Sequence, residues 1–159
     1  MNIRITVSPS LAAPRLPPSV SLAYAAGMFD GDGCIHIAKQ KKSTAKRGHI
    51  FRLVSTLAQN HLATLIDFQE LVGVGGRIYQ QTRTGSQNKD TYSLVYDGEG
   101  AAEVIRRLLP YLLRKLDEAN VALMFQDGCE IHRHFGRKGC PESIWKQREA
   151  HYRKLRNLK

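Results

Sequence analysis

Apolar and polar positions alternate along two stretches of the chain. Residues 34–57 alternate on both sides of a polar, basic loop, with Ile35 set against His36. A period of two is that of a strand with one buried face, so this stretch predicts a long hairpin. Residues 77–83 and 90–96, which are joined by a turn-rich segment, predict a second hairpin.

Helical periodicity marks much of the remaining chain. Apolar or small side chains recur at helical spacing at residues 20–30, 60–72, 98–109, 110–126 and 141–158. Two glycines are expected to stop the first of these helices, and the proline at position 110 is expected to start the fourth. The order is helix, two strands, helix, two strands and helix, followed by C-terminal helices, which predicts an α+β fold.

Length and composition fit one domain with flanking segments. The chain has 159 residues, of which 42% are hydrophobic, and a chain of this length can bury a core of its own. Four of the six prolines precede residue 19, so residues 1–18 are expected to form a flexible N-terminal arm. Residues 19–128 would form the domain, and residues 129–159 a basic, partly helical C-terminal extension.

Cysteine usage and hydropathy indicate the compartment. Cys34, Cys129 and Cys140 are odd in number and show no paired spacing, which favours a reducing, intracellular compartment, either the cytoplasm or an organelle. No apolar run approaches the length of a membrane span. His132 and His134 lie between the last two cysteines, but this spacing matches no common structural zinc site.

Positive charge is concentrated in two segments of the chain, whose formal net charge is +10. Residues 34–57 hold six basic residues and no acid, and residues 129–159 hold nine basic residues and three acids. Clustered positive charge indicates a polyanionic partner. Nucleic acid fits better than a membrane surface, because no basic stretch has a broad apolar face.

The first predicted helix combines small side chains with two acids at its end. Ala23, Ala26 and Gly27 would let another helix approach to backbone contact, which favours pairing of two copies of the chain. Asp30 and Asp32 lie at the C-terminal end, where the helix dipole does not favour carboxylates. They are either turn formers or ligands of a divalent cation, which prefers oxygen ligands.

Residues 25–33, Ala-Ala-Gly-Met-Phe-Asp-Gly-Asp-Gly, resemble the nine-residue LAGLIDADG motif of a family of homing endonucleases. The identical positions are Ala26, Gly27, Asp30, Asp32 and Gly33, whereas an alanine replaces the usual leucine at the first position. The order of elements also resembles that of the family over about residues 20–126. The resemblance implies a homodimeric, site-specific DNA endonuclease with a helix-β-β-helix-β-β-helix fold and a curved, antiparallel four-stranded sheet.

The resemblance also implies which residues carry the reaction. Asp32 matches the acid that binds metal, and Gly31 matches the residue whose carbonyl assists it. Gln59 and Lys115 resemble the residues that orient and polarise the water network of the site, and His61 is a looser candidate for a further basic residue. The implied cofactor is Mg2+, for which Mn2+ or Ca2+ can substitute in binding.

In the family, a sheet from each monomer lies along the major groove of double-stranded DNA, and two-fold symmetry implies a nearly palindromic target. Parity along the strands then selects one set of candidate DNA-binding residues, namely His36, Gln40, Lys42, Arg52, Thr56, Tyr79, Gln81, Arg83 and Ser93.

Two other functions remain open on the same fold. One is a maturase that binds structured intron RNA, and the other is a catalytically silent protein that binds DNA. Neither would need Asp32.

Overall fold

A computed structural model describes residues 2–5, 18–81, 90–132, 135 and 139–159. The elements of this part of the chain are β1 (Asn2–Ile5), α1 (Pro18–Asp32), β2 (Gly33–Lys41), β3 (His49–Gln59), α2 (Leu62–Val72), β4 (Arg77–Gln81), β5 (Thr91–Asp97), α3 (Gly98–Leu108), α4 (Leu116–Ile131) and α5 (Glu142–Asn157), with a short 3-10 turn at Leu109–Tyr111. The order of helices and hairpins is the one that the hydrophobic pattern predicts.

The strands form one antiparallel sheet in the order β1-β4-β5-β3-β2. Four of them are the strands of the two predicted hairpins. The fifth, β1, lies within the segment predicted to be a loose arm, and it pairs with β4 from Asn2 opposite Gln81 to Ile5 opposite Ile78. That prediction is corrected for these four residues, because the outer edge of β4 offers free backbone groups to a short segment of suitable alternation.

The hydrophobic core lies between one face of the sheet and the helices. Ile35, Ile37, Leu53 and Leu94 are at most 3% exposed and point into it. Their neighbours along the strands point to the opposite face, which no described helix covers along β3 to β5. This face is called the open face below. The parity of the strands therefore follows the predicted pattern.

Two helix boundaries differ from the prediction. Helix α1 continues through Gly31 to Asp32, since a glycine within a helix lowers its stability without ending it. The predicted helix that begins at Pro110 is wrong in its start, because Pro110 lies in the 3-10 turn and α4 begins at Leu116. The segment between them is extended at Leu112, with φ −75° and ψ 137°.

Helix α5 packs against the helix side of the outer hairpin. The ring of Phe51 on β3 lies 5.6 Å from that of Trp145 and 5.7 Å from that of Tyr152, between ring centroids. Leu155 is 1% exposed. Both aromatic residues of α5 are thus packing residues, and they hold the C-terminal helix on the domain.

None of the described helices is long and apolar enough to cross a membrane.

Candidate active site and DNA-facing surface

The last residues of α1 and β3 meet at one end of the sheet. Asp32 ends α1, and the chain enters β2 at the next residue, so its carboxylate stays at the surface. Gln59 ends β3, and its Nε2 donates a hydrogen bond to Oδ2 of Asp32 across 2.7 Å. Two residues that are 27 positions apart, and that the resemblance places in one active site, are therefore in direct contact.

The other acid of the motif organises the chain that precedes α4. The carboxylate of Asp30 accepts backbone N–H hydrogen bonds from Leu113, Arg114 and Lys115, at 2.7, 3.1 and 3.0 Å. Burial raises the pKa of this carboxyl, but the three hydrogen bonds and the charge of Lys115 outweigh that effect, and the pKa is lowered. Asp30 thus stabilises the entry into α4.

Lys115 is tied to the end of α1 rather than to Asp32 itself. It is 5% exposed, and its Nζ donates to the backbone carbonyl of Asp30 at 2.5 Å. A buried ammonium needs such an acceptor. The structure therefore places Lys115 against Asp30, which precedes Asp32 by two residues on α1.

The donors at this end fit a hard divalent cation. Asp32 offers a carboxylate, and Gly31 is exposed, with room around its backbone because a Cβ there would meet nothing within 4 Å. Among the described residues, no group of three or more His, Cys, Asp or Glu side chains is placed to hold a metal ion. One carboxylate per chain suits Mg2+, which is bound by one or two carboxylates together with phosphate oxygens and water.

His61 lies outside this constellation. It is an exposed residue at the N-cap position of α2 and makes no side-chain capping hydrogen bond. No hydrogen bond to Asp32 or Gln59 is found for it within the described part of the chain, so its contribution stays a prediction.

One side of α1 is exposed and carries aliphatic, small and aromatic residues. Val20 is 49% and Tyr24 61% exposed, and Ala23 and Gly27 are exposed beside them. Ala26 is 0% exposed and packs in the core of its own chain, so only Ala23 and Gly27 of the predicted interface residues are exposed, and the interface stays a prediction. The surface formed by Val20, Ala23, Tyr24 and Gly27 is called the α1 stripe below.

The candidate DNA-binding residues of the strands share the open face. The register pairs His36 with Val54 and Tyr79 with Ser93 across neighbouring strands. By the same parity the other members on this face are Gln40, Arg52, Thr56 and Gln81. Lys42 follows β2, where its N–H donates to Gly48 across the turn at 2.8 Å. Arg83 lies outside the described residues.

The open face also carries charged residues outside the predicted set of DNA-binding residues. Arg77 and Asp97 lie on it, and Oδ2 of Asp97 accepts hydrogen bonds from Arg77 and, at 3.3 Å, from Arg52. Arg77 has the same parity as Tyr79, so extending the alternation of the strand by two residues toward its start would have predicted that Arg77 lies on this face. Asp97 carries no such signal, because an acid is not expected on a surface that binds a polyanion.

A lysine of the C-terminal segment reaches the edge of the open face. The thiol of Cys34 lies 3.9 Å from Nδ1 of His36 and accepts a hydrogen bond from Nζ of Lys159 at 2.9 Å. The contact with His36, together with that of the lysine, lowers the pKa of the Cys34 thiol to about 7. The basic C-terminal extension therefore adds positive charge beside β2.

Comparison with known proteins gives one family. The family model described as LAGLIDADG endonuclease matches residues 25–132. No curated protein matches the sequence.

Solved structures share the fold at low sequence identity. The chain is similar to the homing endonuclease I-CvuI, solved with the I-CreI target in the presence of Mg, at 20% identity and a TM-score of 0.72 over 89% of this chain and 83% of that one. It is similar to the archaeal intron-encoded homing endonuclease I-Vdi141I, complexed with DNA, at 17% identity and a TM-score of 0.71 over 90% and 86%. The group I intron-encoded homing endonuclease I-CeuI, complexed with DNA, matches at 19% identity and a TM-score of 0.61 over 91% and 69%.

Proposed function

The chain belongs to the LAGLIDADG endonuclease family, and we propose that this site-specific, metal-dependent DNA endonuclease uses Mg2+ and acts as a homodimer on a long, nearly palindromic target. The observation that carries the proposal is the hydrogen bond from Gln59 to Asp32 at the end of the motif helix. It joins two residues that the family's chemistry requires together, although the chain separates them.

Three residues of the site have distinct roles in the proposed hydrolysis of DNA phosphodiesters. Asp32, with the carbonyl of Gly31, would hold the divalent cation. When bound, that cation supplies an activated water and stabilises the leaving oxygen. Gln59 orients the Asp32 carboxylate through its amide donor and leaves the other carboxylate oxygen for a metal. Lys115 keeps a positive charge beside the end of α1, where it favours the developing negative charge of the reaction.

Pairing of two chains through the α1 stripe would complete the site. Each chain supplies one exposed Asp32 at the end of the helix that carries the stripe. A two-fold axis along this surface brings the two carboxylates together, and small residues such as Ala23 and Gly27 permit the close approach. Leu113, which is 87% exposed and donates its N–H to Asp30, extends the apolar surface beside it.

The open face is proposed to lie along the major groove, which is wide enough for a β-ribbon. Its candidate contacts to bases and phosphates are His36, Gln40, Lys42, Arg52, Thr56, Tyr79, Gln81 and Ser93, and Arg83 is retained from the sequence. Glutamine and arginine side chains can each make two hydrogen bonds to one base edge. The helices cover the other face of the sheet, so this face is the one that can approach DNA.

Cleavage of the cognate locus is the direct test. The purified protein is incubated, with and without Mg2+, with a plasmid that carries the intronless sequence of its own insertion site. Asp32→Asn serves as the test variant, and Asp67→Asn, which changes an exposed acid on α2, serves as the control. We expect Mg2+-dependent linearisation by the wild type and by the control variant, and none by Asp32→Asn.

Two outcomes would contradict the proposal. Cleavage that survives Asp32→Asn would remove Asp32 from the metal site. Tight binding of the plasmid without cleavage would favour the catalytically silent DNA-binding protein. The maturase has no structural observation in its favour, and preferential binding of the intron RNA over the plasmid would be required to support it.

A further inference from the structure

Asp97 holds two arginines together on the open face. It ends β5, and its Oδ2 accepts hydrogen bonds from Arg52 of β3, at 3.3 Å, and from Arg77 of β4. In the register, Asp97 lies opposite Val54, two residues from Arg52, and Arg77 lies opposite Val95, two residues from Asp97. Both arginines are therefore diagonal neighbours of the acid, within reach of long side chains.

The orientation of Asp97 is not explained by its place in the fold. It occupies the N-cap position of α3 with an extended backbone, φ −138° and ψ 158°, yet its side chain makes no capping hydrogen bond. An aspartate at this position usually accepts from the first N–H groups of the helix and contributes about 1 kcal/mol. Here the carboxylate turns to the arginines instead.

The two guanidinium groups keep donors that face outward. The side chains of Arg52 and Arg77 are 51% and 39% exposed, whereas that of Asp97 is 25% exposed. A guanidinium has five N–H donors, and each of these two uses one nitrogen on Asp97. The remaining donors suffice for the paired hydrogen bonds that arginine makes to O6 and N7 of guanine in the major groove.

An acid between two arginines also lowers their attraction to phosphates. Without it, two unpaired cations on this face would bind the backbone of any DNA, and that kind of binding carries no sequence information. With it, the local charge is reduced by one and both side chains are fixed in direction. A ligand that competes for them must therefore offer acceptors in a matching geometry.

We propose that Arg52 and Arg77 read guanine in each half of the target and that Asp97 is the positioning residue that makes them selective. The proposal rests on the proposed function, since it requires that the open face binds DNA. In this role Asp97 weakens the binding of DNA of unrelated sequence, which a purely structural residue would not do.

The test compares Asp97→Asn with a control of equal charge change. The ion pairs of Asp97 join partly exposed arginines and cap no helix, and such surface pairs contribute little to stability, so the variant should keep its melting temperature. The control is Glu103→Gln, which frees Arg107 on α3 from its ion pair at 2.7 Å, in the helix layer. Each protein is used to select the DNA sequences that it binds from a library of random-sequence duplexes, in the presence of Ca2+. Its affinity for one selected duplex and one scrambled duplex is then measured over a series of salt concentrations.

We expect Asp97→Asn to bind the scrambled duplex about three- to tenfold more tightly than the wild type, with a salt slope steeper by about 1 for each phosphate gained. Its ratio of specific to non-specific affinity should fall about tenfold, a typical effect of losing one base pair of recognition. Glu103→Gln should keep the wild-type ratio. An unchanged ratio for Asp97→Asn, or an equal change in both variants, would overturn the proposal.

Variants of the arginines show whether guanine is the base that is read. The wild type should select guanine at symmetric positions, and Arg52→Gln and Arg77→Gln should each relax the preference at one of them. Selection of another base there, or no relaxation, would overturn the assignment. A wild type that selects no sequence at all would overturn the proposed function as well, so the two failures are distinguishable.

Discussion

The amide of Gln59 lies 2.7 Å from the carboxylate of Asp32 and links the end of β3 to the end of α1. An ionised carboxylate has two oxygens with about four acceptor positions, so one amide donor leaves room for a metal ion. Because the donor is neutral, it fixes the direction of the carboxylate without cancelling its charge. Gln59 is thus placed to set the geometry of the metal ligand.

Gln59→Ala should therefore slow cleavage without weakening DNA binding. Loss of a partner that orients a metal ligand typically costs about 10- to 100-fold in activity or metal affinity. Single-turnover cleavage over a range of Mg2+ concentrations should show a slower reaction that needs more metal. Gln147→Ala, an exposed residue of α5, is the control, and a wild-type rate for Gln59→Ala would remove Gln59 from the site.

Asp30→Ala should destabilise the fold rather than act on the chemistry alone. The carboxylate accepts three backbone N–H groups, and hydrogen bonds to charged groups are worth about 1.5–3 kcal/mol each, with part of this loss recovered by solvent. We expect urea denaturation to show a loss of about 2 kcal/mol, against little change for Asp67→Ala on the surface of α2. Full stability combined with lost cleavage would instead indicate a chemical role for Asp30.

The period of the hydrophobic pattern is sufficient to predict the open face. A strand with one buried face places every second residue on the same side, so buried Ile35 and Ile37 predict an open His36, as found. The contact between Gln59 and Asp32 follows from the family motif and the order of elements. These predictions need only local periodicity and one recognised segment.

Other features depend on contacts that no local pattern records. Helix α1 is made almost wholly of apolar and small residues, so its sequence does not distinguish Ala23, which is exposed, from Ala26, which is buried. The start of α4 depends on the side chain of Asp30, more than 80 positions earlier. The partners of Asp97 are likewise 45 and 20 positions away, and only the sheet brings them together.

Gly27→Leu should separate folding from dimerisation. A Cβ at Gly27 would meet nothing within 4 Å in the single chain, and replacing a helical glycine stabilises a helix by roughly 0.5–1 kcal/mol. The larger side chain would, however, prevent close approach of two α1 helices. We expect sedimentation analysis to show a folded monomer that no longer cleaves DNA.

Gly128→Leu is the matched control for this change. Gly128 lies within α4, and a Cβ there would also meet nothing within 4 Å. This variant should remain dimeric and active. A dimeric Gly27→Leu would contradict the α1 stripe as the interface.

The attachment of α5 should weaken in acid, and Trp145 can report it. The ammonium of Lys39 lies 5.4 Å from the Trp145 ring and donates to Glu149 at 3.1 Å. The hydrogen bond from Lys39 lowers the pKa of Glu149 below its ordinary value of 4.5. Because the pKa of Glu149 is lower in the folded state than in the unfolded state, its contact with Lys39 stabilises the fold fully above pH 4.5. This stabilisation is lost as the pH falls through the lowered pKa of Glu149.

Fluorescence of Trp145, the only tryptophan, should therefore shift to the red as the pH falls through the lowered pKa of Glu149, because α5 loosens and the ring meets water. Lys39→Met keeps the apolar stem against the ring but removes the charge, so its emission should already be shifted at pH 7 and should change less on acidification. Equal titration curves for the two proteins would show that the contact between Lys39 and Glu149 does not hold α5 on the sheet.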